Sequence, residues 1–297
     1  MSVVWGVPYL FIKVAVDGGL SPGFVAWSRV VLGGAVLVVL AWRAGALPAL
    51  RGRLRWVALF AVFEVVIPFP LIAAGEQHVD SSLAAIIIAS APLIVAVLAL
   101  RFDHTERVAG TRLAGLIIGF GGVVALMGID VAGSSDELLG AAAILVAAAG
   151  YAAGPMVLRR HLADLDARAT MGVALAIAAL PLTALAAIDP ATSTPSGSAI
   201  ASVVVLGLVC TALGFVVYGE LVAEVGAGRA PVITYINPVV ALALGVTILG
   251  EQPGAGSIAG LLLILAGSWL STDGRLPRWL TALSGKPSQQ ARRSESS

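Results

Sequence analysis

Apolar residues run through this chain in blocks of about twenty, broken by short stretches in which Arg, Asp, Gly and Pro gather. A helix rises about 1.5 Å per residue, so about twenty apolar residues cross the roughly 30 Å hydrocarbon core of a bilayer. Ten such runs are predicted helices: Ser2–Val16, Pro22–Trp42, Arg55–Ala74, Ser81–Leu100, Val108–Met127, Leu138–Leu158, Ala169–Ile188, Ser198–Tyr218, Gly228–Leu249 and Ser257–Ser271. The connections are short, and none is long enough to hold a soluble domain. Residues 273–297 turn polar and Ser-rich, and read as a disordered cytoplasmic tail. The first run is short, with a rise of only about 22 Å. It lacks a basic leader and an A-x-A cleavage site, so it does not read as a cleaved signal peptide. Its shortness predicts either a start upstream of Met1, the favoured reading, or a tilted or re-entrant first helix.

Composition agrees with lipid as the solvent. Of 297 residues, 59% are hydrophobic and 12% charged, against roughly 25% charged in soluble domains. The formal net charge of +1 and the lack of a basic stripe argue against a nucleic-acid partner. The single cysteine, Cys210, sits inside an apolar run and reads as a small buried hydrophobe. His78, His104 and His161 fall in loops without metal-ligand spacing, and no nucleotide-binding loop or Ser-His-Asp set is present. The expectation is therefore no metal, no cofactor and no enzyme.

Charge also sets orientation. With the N-terminus in the cytoplasm, sixteen of the eighteen basic residues fall on the inner side. The outer loops then carry Asp17, Glu76, Asp80, Asp130, Asp136, Glu137, Asp189 and Glu251. Both termini are predicted to be cytoplasmic.

One pattern occurs twice. SSLAAIIIASAPLIVAVLALRFDHTERVAGTRLAGLIIGFGGVVAL (81–126) resembles AGRAPVITYINPVVALALGVTILGEQPGAGSIAGLLLILAGSWLS (227–271). Pro92 falls opposite Pro238, Glu106 opposite Glu251, Gly115 opposite Gly260 and Gly122 opposite Gly267. The predicted organisation is a five-helix repeat over 1–130 and a second over 137–272. Five is odd, so the second repeat enters the membrane from the opposite side. The expected fold class is an all-α integral membrane protein, with ten transmembrane helices arranged as two inverted five-helix repeats. Inverted repeats with helices interrupted near mid-membrane recur in secondary transporters, which bind substrate between the halves.

The two Pro-to-Glu blocks, the opening WGVPYLFIKVAV and the segment EQHVDSSLAAIIIASAP resemble the EamA type of the drug/metabolite transporter superfamily. The likeness covers nearly the whole chain apart from the tail. It implies ten helices in two repeats and movement of small metabolites, often export of amino acids or related compounds, across the bacterial inner membrane.

The residues themselves supply candidates. Proline removes one helical hydrogen bond, so Pro92 and Pro238 mark expected helix breaks that bare the carbonyls of Ile88 and Thr234. Broken backbone is tolerated at membrane depth only against protein or a wet cavity. Thr234, Tyr235 and Asn237 at the second break, with Trp5 and Tyr9 one turn apart on the first helix, are cavity candidates. Glu64 lies mid-span, and intramembrane acids mark ion or substrate paths by default. Arg29 lies near it in depth, so Glu64 is either its structural ion-pair partner or a proton- or substrate-binding acid. Glu106 and Glu251, each just ahead of an apolar helix, read as helix N-terminal caps. Lys13 reads as snorkelling to the outer surface. The Gly115–Gly119 and Gly150–Gly154 spacings predict close helix crossings within the bundle.

The expected function is secondary transport of a small amino-acid-like metabolite, outward, by alternating access, with protons as a candidate coupling ion. The expected partners are the small-molecule substrate and the lipid bilayer, in a monomer or homodimer. A multidrug or organic-cation exporter is the near alternative, favoured by an aromatic cavity and an unpaired Glu64. A lipid scramblase or an intramembrane enzyme is a more distant one.

Overall fold

The computed structural model describes residues 2–102, 111–126, 134–189, 191, 194–225 and 236–272. Thr234, Tyr235, Glu106 and the tail lie outside them. Among the described residues every regular element is helical. They are α1 (Ser2–Gly6), α2 (Pro8–Asp17), α3 (Pro22–Arg43), α4 (Leu54–Ala61), α5 (Pro68–Gly75), α6 (Ser81–Ile88), α7 (Ala91–Phe102), α8 (Thr111–Leu126), α9 (Ser135–His161), α10 (Ala167–Ile188), α11 (Gly197–Val205), α12 (Gly214–Val225), α13 (Asn237–Leu244) and α14 (Ala255–Thr272). Among the described residues five helical segments are long and apolar enough to cross a bilayer: Pro22–Arg43, Leu54–Gly75, Ser135–His161, Ala167–Ile188 and Gly197–Tyr218. The chain is a multi-pass membrane protein.

Polar side chains start α3, α9, α10 and α11 as capping requires. Ser21 Oγ accepts from the Phe24 N–H to open α3, and Ser134 does the same for α9 through Glu137. Asp166 accepts from Arg168 and Ala169 to open α10. Asp189, at the end of α10, accepts from the Gly23 N–H at 3.0 Å and so ties α10 to the first turn of α3.

The spans predicted as continuous are interrupted, and proline explains two interruptions. Pro68 has no N–H to give Glu64, and the chain widens into a π turn, Val62–Val66, that joins α4 to α5. Ile67 then donates to Val62, five residues back, at 3.0 Å. Pro92 ends α6 at Ile88 and sits in the first turn of α7. Pro238 sits in the first turn of α13. At a helix start the missing N–H is one that would have had no helical partner in any case. Both prolines thus stand in the first turn of a helix, α7 and α13, and the residues before Ile236 are outside the described ones. Two further π turns, Leu206–Leu213 and Gly245–Leu249, join α11 to α12 and end the α13 segment.

Packing interleaves the early and late parts of the chain. The most extensive pairings are α8 with α14 and α3 with α10. Next, α9 packs on the Leu54–Gly75 segment, α11 on α2, and α13 on α6 and α1. Each pairing joins an element before residue 127 to one after residue 133. The α8–α14 crossing is close because both helices present glycine: a Cβ on Gly267 would overlap the backbone of Gly119. The result is a cluster of Leu54–Gly75, α6, α7 and α9, facing a cluster of α1, α2, α11, α12 and α13.

Candidate functional site

Between the two clusters lie the bundle's least expected side chains. Arg29, on α3, is 8% exposed. Its Nε donates to Thr211 Oγ1 at 2.7 Å, and the Thr211 hydroxyl passes the bond on to the Leu206 carbonyl at 2.8 Å. Its guanidinium lies 4.0 Å from the centre of the Phe69 ring, a cation–π contact. Among the described residues no carboxylate pairs with it.

Glu64 is on the Val62–Val66 turn, and its Oε2 is buried with no hydrogen-bond partner. The carboxylate lies against α9 at Gly154, where a Cβ would overlap it. The Arg29–Glu64 ion pair expected from depth does not form. Arg29 is held at Thr211 and Phe69, and Phe69 is five residues beyond Glu64, an axial offset of about 7 Å. Among the described residues Arg29 is consequently buried without a counter-ion, and Glu64 holds one buried carboxyl oxygen without a hydrogen-bond partner, a costly arrangement in a low-dielectric interior.

Aromatic side chains connect the two. Tyr151, on α9, stands within electrostatic reach of both Arg29 and Glu64. Tyr9, on α2, stands within reach of Tyr151, Arg29 and Glu76. Trp5, one turn before Tyr9, packs at 4.7 Å on Tyr218 and edge-on at 5.6 Å to Phe215. Tyr218 is in turn within reach of Glu64. Asn237 opens α13 beside α1: its carbonyl is 2.8 Å from where a Gly6 Cβ would stand. Of the sequence candidates, Trp5, Tyr9 and Glu64 are therefore brought around one interior, and Asn237 is beside the Trp5 turn. Thr234 and Tyr235 are outside the described residues. Thr211, Phe69 and Phe215 were not legible as site residues, since an isolated Thr or Phe in an apolar run has no distinguishing pattern. A groove of about 710 Å³ between the start of α3, α5 and the end of α10 is a separate feature. Its walls include Ser21, Pro70, Gln77 and Asp189, and neither buried charge lines it.

The acid-rich end of the bundle is latched across the two clusters. Glu251, just after the Gly245–Leu249 turn, accepts from the Ser81 N–H at 2.8 Å and the Ser82 N–H at 3.0 Å. It caps α6, from the other part of the chain, in place of the following helix α14 that its sequence position suggested. Lys13 does not snorkel outward: its ammonium donates to the Glu76 carbonyl at 2.7 Å and lies 3.7 Å from Asp17. Glu76, expected in an outer loop, is fully buried, and neither oxygen of its carboxyl has a hydrogen-bond partner. At the opposite, arginine-rich end, Arg53 donates to the His161 carbonyl and lies 3.3 Å from Asp164. Trp56 stacks on His161 at 3.5 Å.

Residues 1–128 and 138–272 each match the EamA-like transporter family. A protein of Streptantibioticus cattleyicolor named "Probable terminal-alkyne amino-acid exporter" is 31% identical, over 88% of this chain and 90% of that protein. The "Uncharacterized inner membrane transporter YedA" of Escherichia coli strain K12 is 27% identical, over 84% of this chain and 81% of that protein. A solved crystal structure superposes with a TM-score of 0.62 at 22% identity, covering 91% of this chain and 97% of its own, a likeness of fold alone.

Proposed function

The chain belongs to the EamA-like transporter family, and on that premise we propose that this membrane transporter exports a small zwitterionic, amino-acid-like metabolite by alternating access. The carrying observation is that, among the described residues, buried Arg29 has no carboxylate partner and the buried Oε2 of Glu64 has no hydrogen-bond partner, with both side chains in electrostatic reach of Tyr151. A zwitterion supplies both missing counter-ions: its carboxylate meets the guanidinium and its ammonium meets Glu64. Two charge-assisted hydrogen bonds of about 2.8 Å plus the roughly 3 Å between the charged groups of an α-amino acid span about 9 Å. The axial offset between Glu64 and Phe69, over which Arg29 lies, is close to that span. Trp5, Tyr218 and Phe215 then offer an apolar wall for the remaining side chain.

The moving parts we propose are the two interleaved clusters, turning about the α3–α10 and α8–α14 pairs within a ten-helix fold of two inverted repeats over 1–130 and 137–272. Reciprocal pairing supports this: α9 packs on Leu54–Gly75 as α2 packs on α11. A rocking of one sequence half as a block would tear these pairings apart. Arginine on the cytoplasmic side, with both termini there, follows from the charge distribution.

An organic-cation exporter is the second reading, favoured by the unpaired Glu64 and the aromatic wall. Arg29 weighs against it. A substrate of net positive charge about 7 Å from a guanidinium is repelled by roughly 2 kcal/mol at an effective dielectric constant near 20. The test is flux of labelled amino acids and of quaternary amines from liposomes holding the purified protein. Amino-acid flux with none for the amines supports the proposal, and flux for the amines alone replaces it with the second reading. No flux for either class ends both.

A further inference from the structure

Glu76 is not used by the substrate site, and it is the most completely buried acid among the described residues, with 0% of its surface exposed. Both carboxyl oxygens lack a hydrogen-bond partner among the described residues. Around it stand Lys13, Tyr9 and Asp17 from α2, Arg29 from α3 and Glu251 from the segment after α13. Asp80, His78 and Glu137 stand on the same end of the bundle, with Asp136 beside Glu137 and Asp189 at the start of α3. The Lys13 ammonium, the nearest cation, is spent on the backbone carbonyl of Glu76 and on Asp17. Glu251 is spent on the Ser81 and Ser82 amides.

The position decides what such a carboxyl can do. Glu76 ends the α5 segment in one cluster, while Lys13 and Glu251, which close over it, belong to the other. Separating the clusters at this end hydrates Glu76. Bringing them together buries it with no donor to hold its charge. We propose that Glu76 is a proton-binding site, so that closing the acid-rich mouth takes up a proton from that side. This rests on the alternating-access reading, but its test needs no substrate.

Burial holds the Glu76 carboxyl well above the ordinary carboxylate range. Lys13 works against that shift, Glu251 and Asp17 reinforce it, and Arg29 opposes it. The raised value belongs to the closed mouth and the ordinary one to the open mouth. The closed mouth is accordingly favoured in full at acid pH, and the advantage is lost as pH rises through the raised value. Each pH unit between the two values changes the open-to-closed ratio by about tenfold.

Two measurements test this. The infrared spectrum of the purified protein at neutral pH is expected to show a protonated-carboxyl band that Glu76→Gln removes. A wild-type spectrum without such a band overturns the proposal with no variant needed, and a band that survives intact in Glu76→Gln overturns it as well. In a Cys210→Ala background, Ser82→Cys reports opening through its labelling by a membrane-impermeant thiol reagent. Labelling is expected to rise about tenfold or more from acid to alkaline pH and to stay slow at all pH values when Glu76→Gln is added. An unchanged pH profile in that double variant overturns the proposal. Absence of substrate flux in liposomes touches only the transport reading, since neither measurement depends on flux.

Discussion

Replacing Glu251 with Ala removes the acceptor for two amides that begin α6. The Ser81 N–H lies 2.8 Å from one carboxylate oxygen and the Ser82 N–H 3.0 Å from the other. Both serines are 1% exposed, so water does not take over the bonds while the mouth stays closed. A hydrogen bond to a charged group contributes about 1.5–3 kcal/mol. The favourable field of the helix N-terminus adds about 0.3–1 kcal/mol. The bonds share one carboxylate and do not add fully, so the closed state should lose about 3 kcal/mol. That corresponds to roughly a 100-fold gain in local opening. Amide hydrogen exchange over residues 81–88, followed by mass spectrometry in nanodiscs, reads this directly. Glu251→Ala is expected to speed exchange there by about two orders of magnitude, with Glu251→Gln between it and the wild type. The first turn of α14 should exchange as before. Faster exchange at Ala255–Ile258 with no change at 81–88 would restore the reading of Glu251 as a cap for its own following helix and refute the cross-chain latch.

Further variants probe the rest of the site. Arg29→Met should weaken amino-acid binding by roughly 10- to 100-fold, the value of a charge-assisted hydrogen bond, and Thr211→Val should cost less. Equilibrium binding to the two purified variants measures this. Gly154→Ala puts a methyl where the Glu64 carboxylate lies; an overpacking cost of about 1–3 kcal/mol should lower the melting temperature, and Glu64→Ala in the same chain should recover part of it. Asp166→Ala removes the α10 cap at about 1 kcal/mol. The hydrogen bond from Arg168 holds Asp166 below the ordinary carboxylate range, so its contribution is complete above that range and is lost as pH falls through the lowered value. Melting curves of wild type and Asp166→Ala should converge in acid. Glu64→Gln should reduce exchange flux at every pH if Glu64 binds the ammonium of the substrate; flux and a pH profile equal to wild type would remove Glu64 from the site.

Membrane character and helical content were legible because they depend on sums over many residues, namely apolar run length and the near-absence of charge. The interruption between α6 and α7 at Pro92 was legible for a local reason, since proline acts on its own backbone wherever it stands. The partners of Arg29 were not. Depth along two helices placed Glu64 nearby, but rotation about the helix axis depends on the π turn and on Gly154 across the interface. Neither is written in the spacing of charges. Glu251 and Lys13 were misassigned for a related reason: each was paired with its own neighbourhood in sequence, whereas the fold interleaves α13 with α6 and α2 with α11. Glu76 escaped notice because a polar loop residue and a buried one have the same local sequence.

The central claim, that Arg29 and Glu64 together read a zwitterion, is tested most directly by calorimetric binding of three matched ligands. These are an apolar α-amino acid, the amine lacking its carboxylate, and the carboxylic acid lacking its amine. The account predicts that the amino acid binds at least about tenfold more tightly than either analogue, as the loss of one charge-assisted bond requires. It also predicts that Arg29→Met erases the advantage over the amine alone. An amine that binds as tightly as the amino acid to the wild-type protein would contradict it.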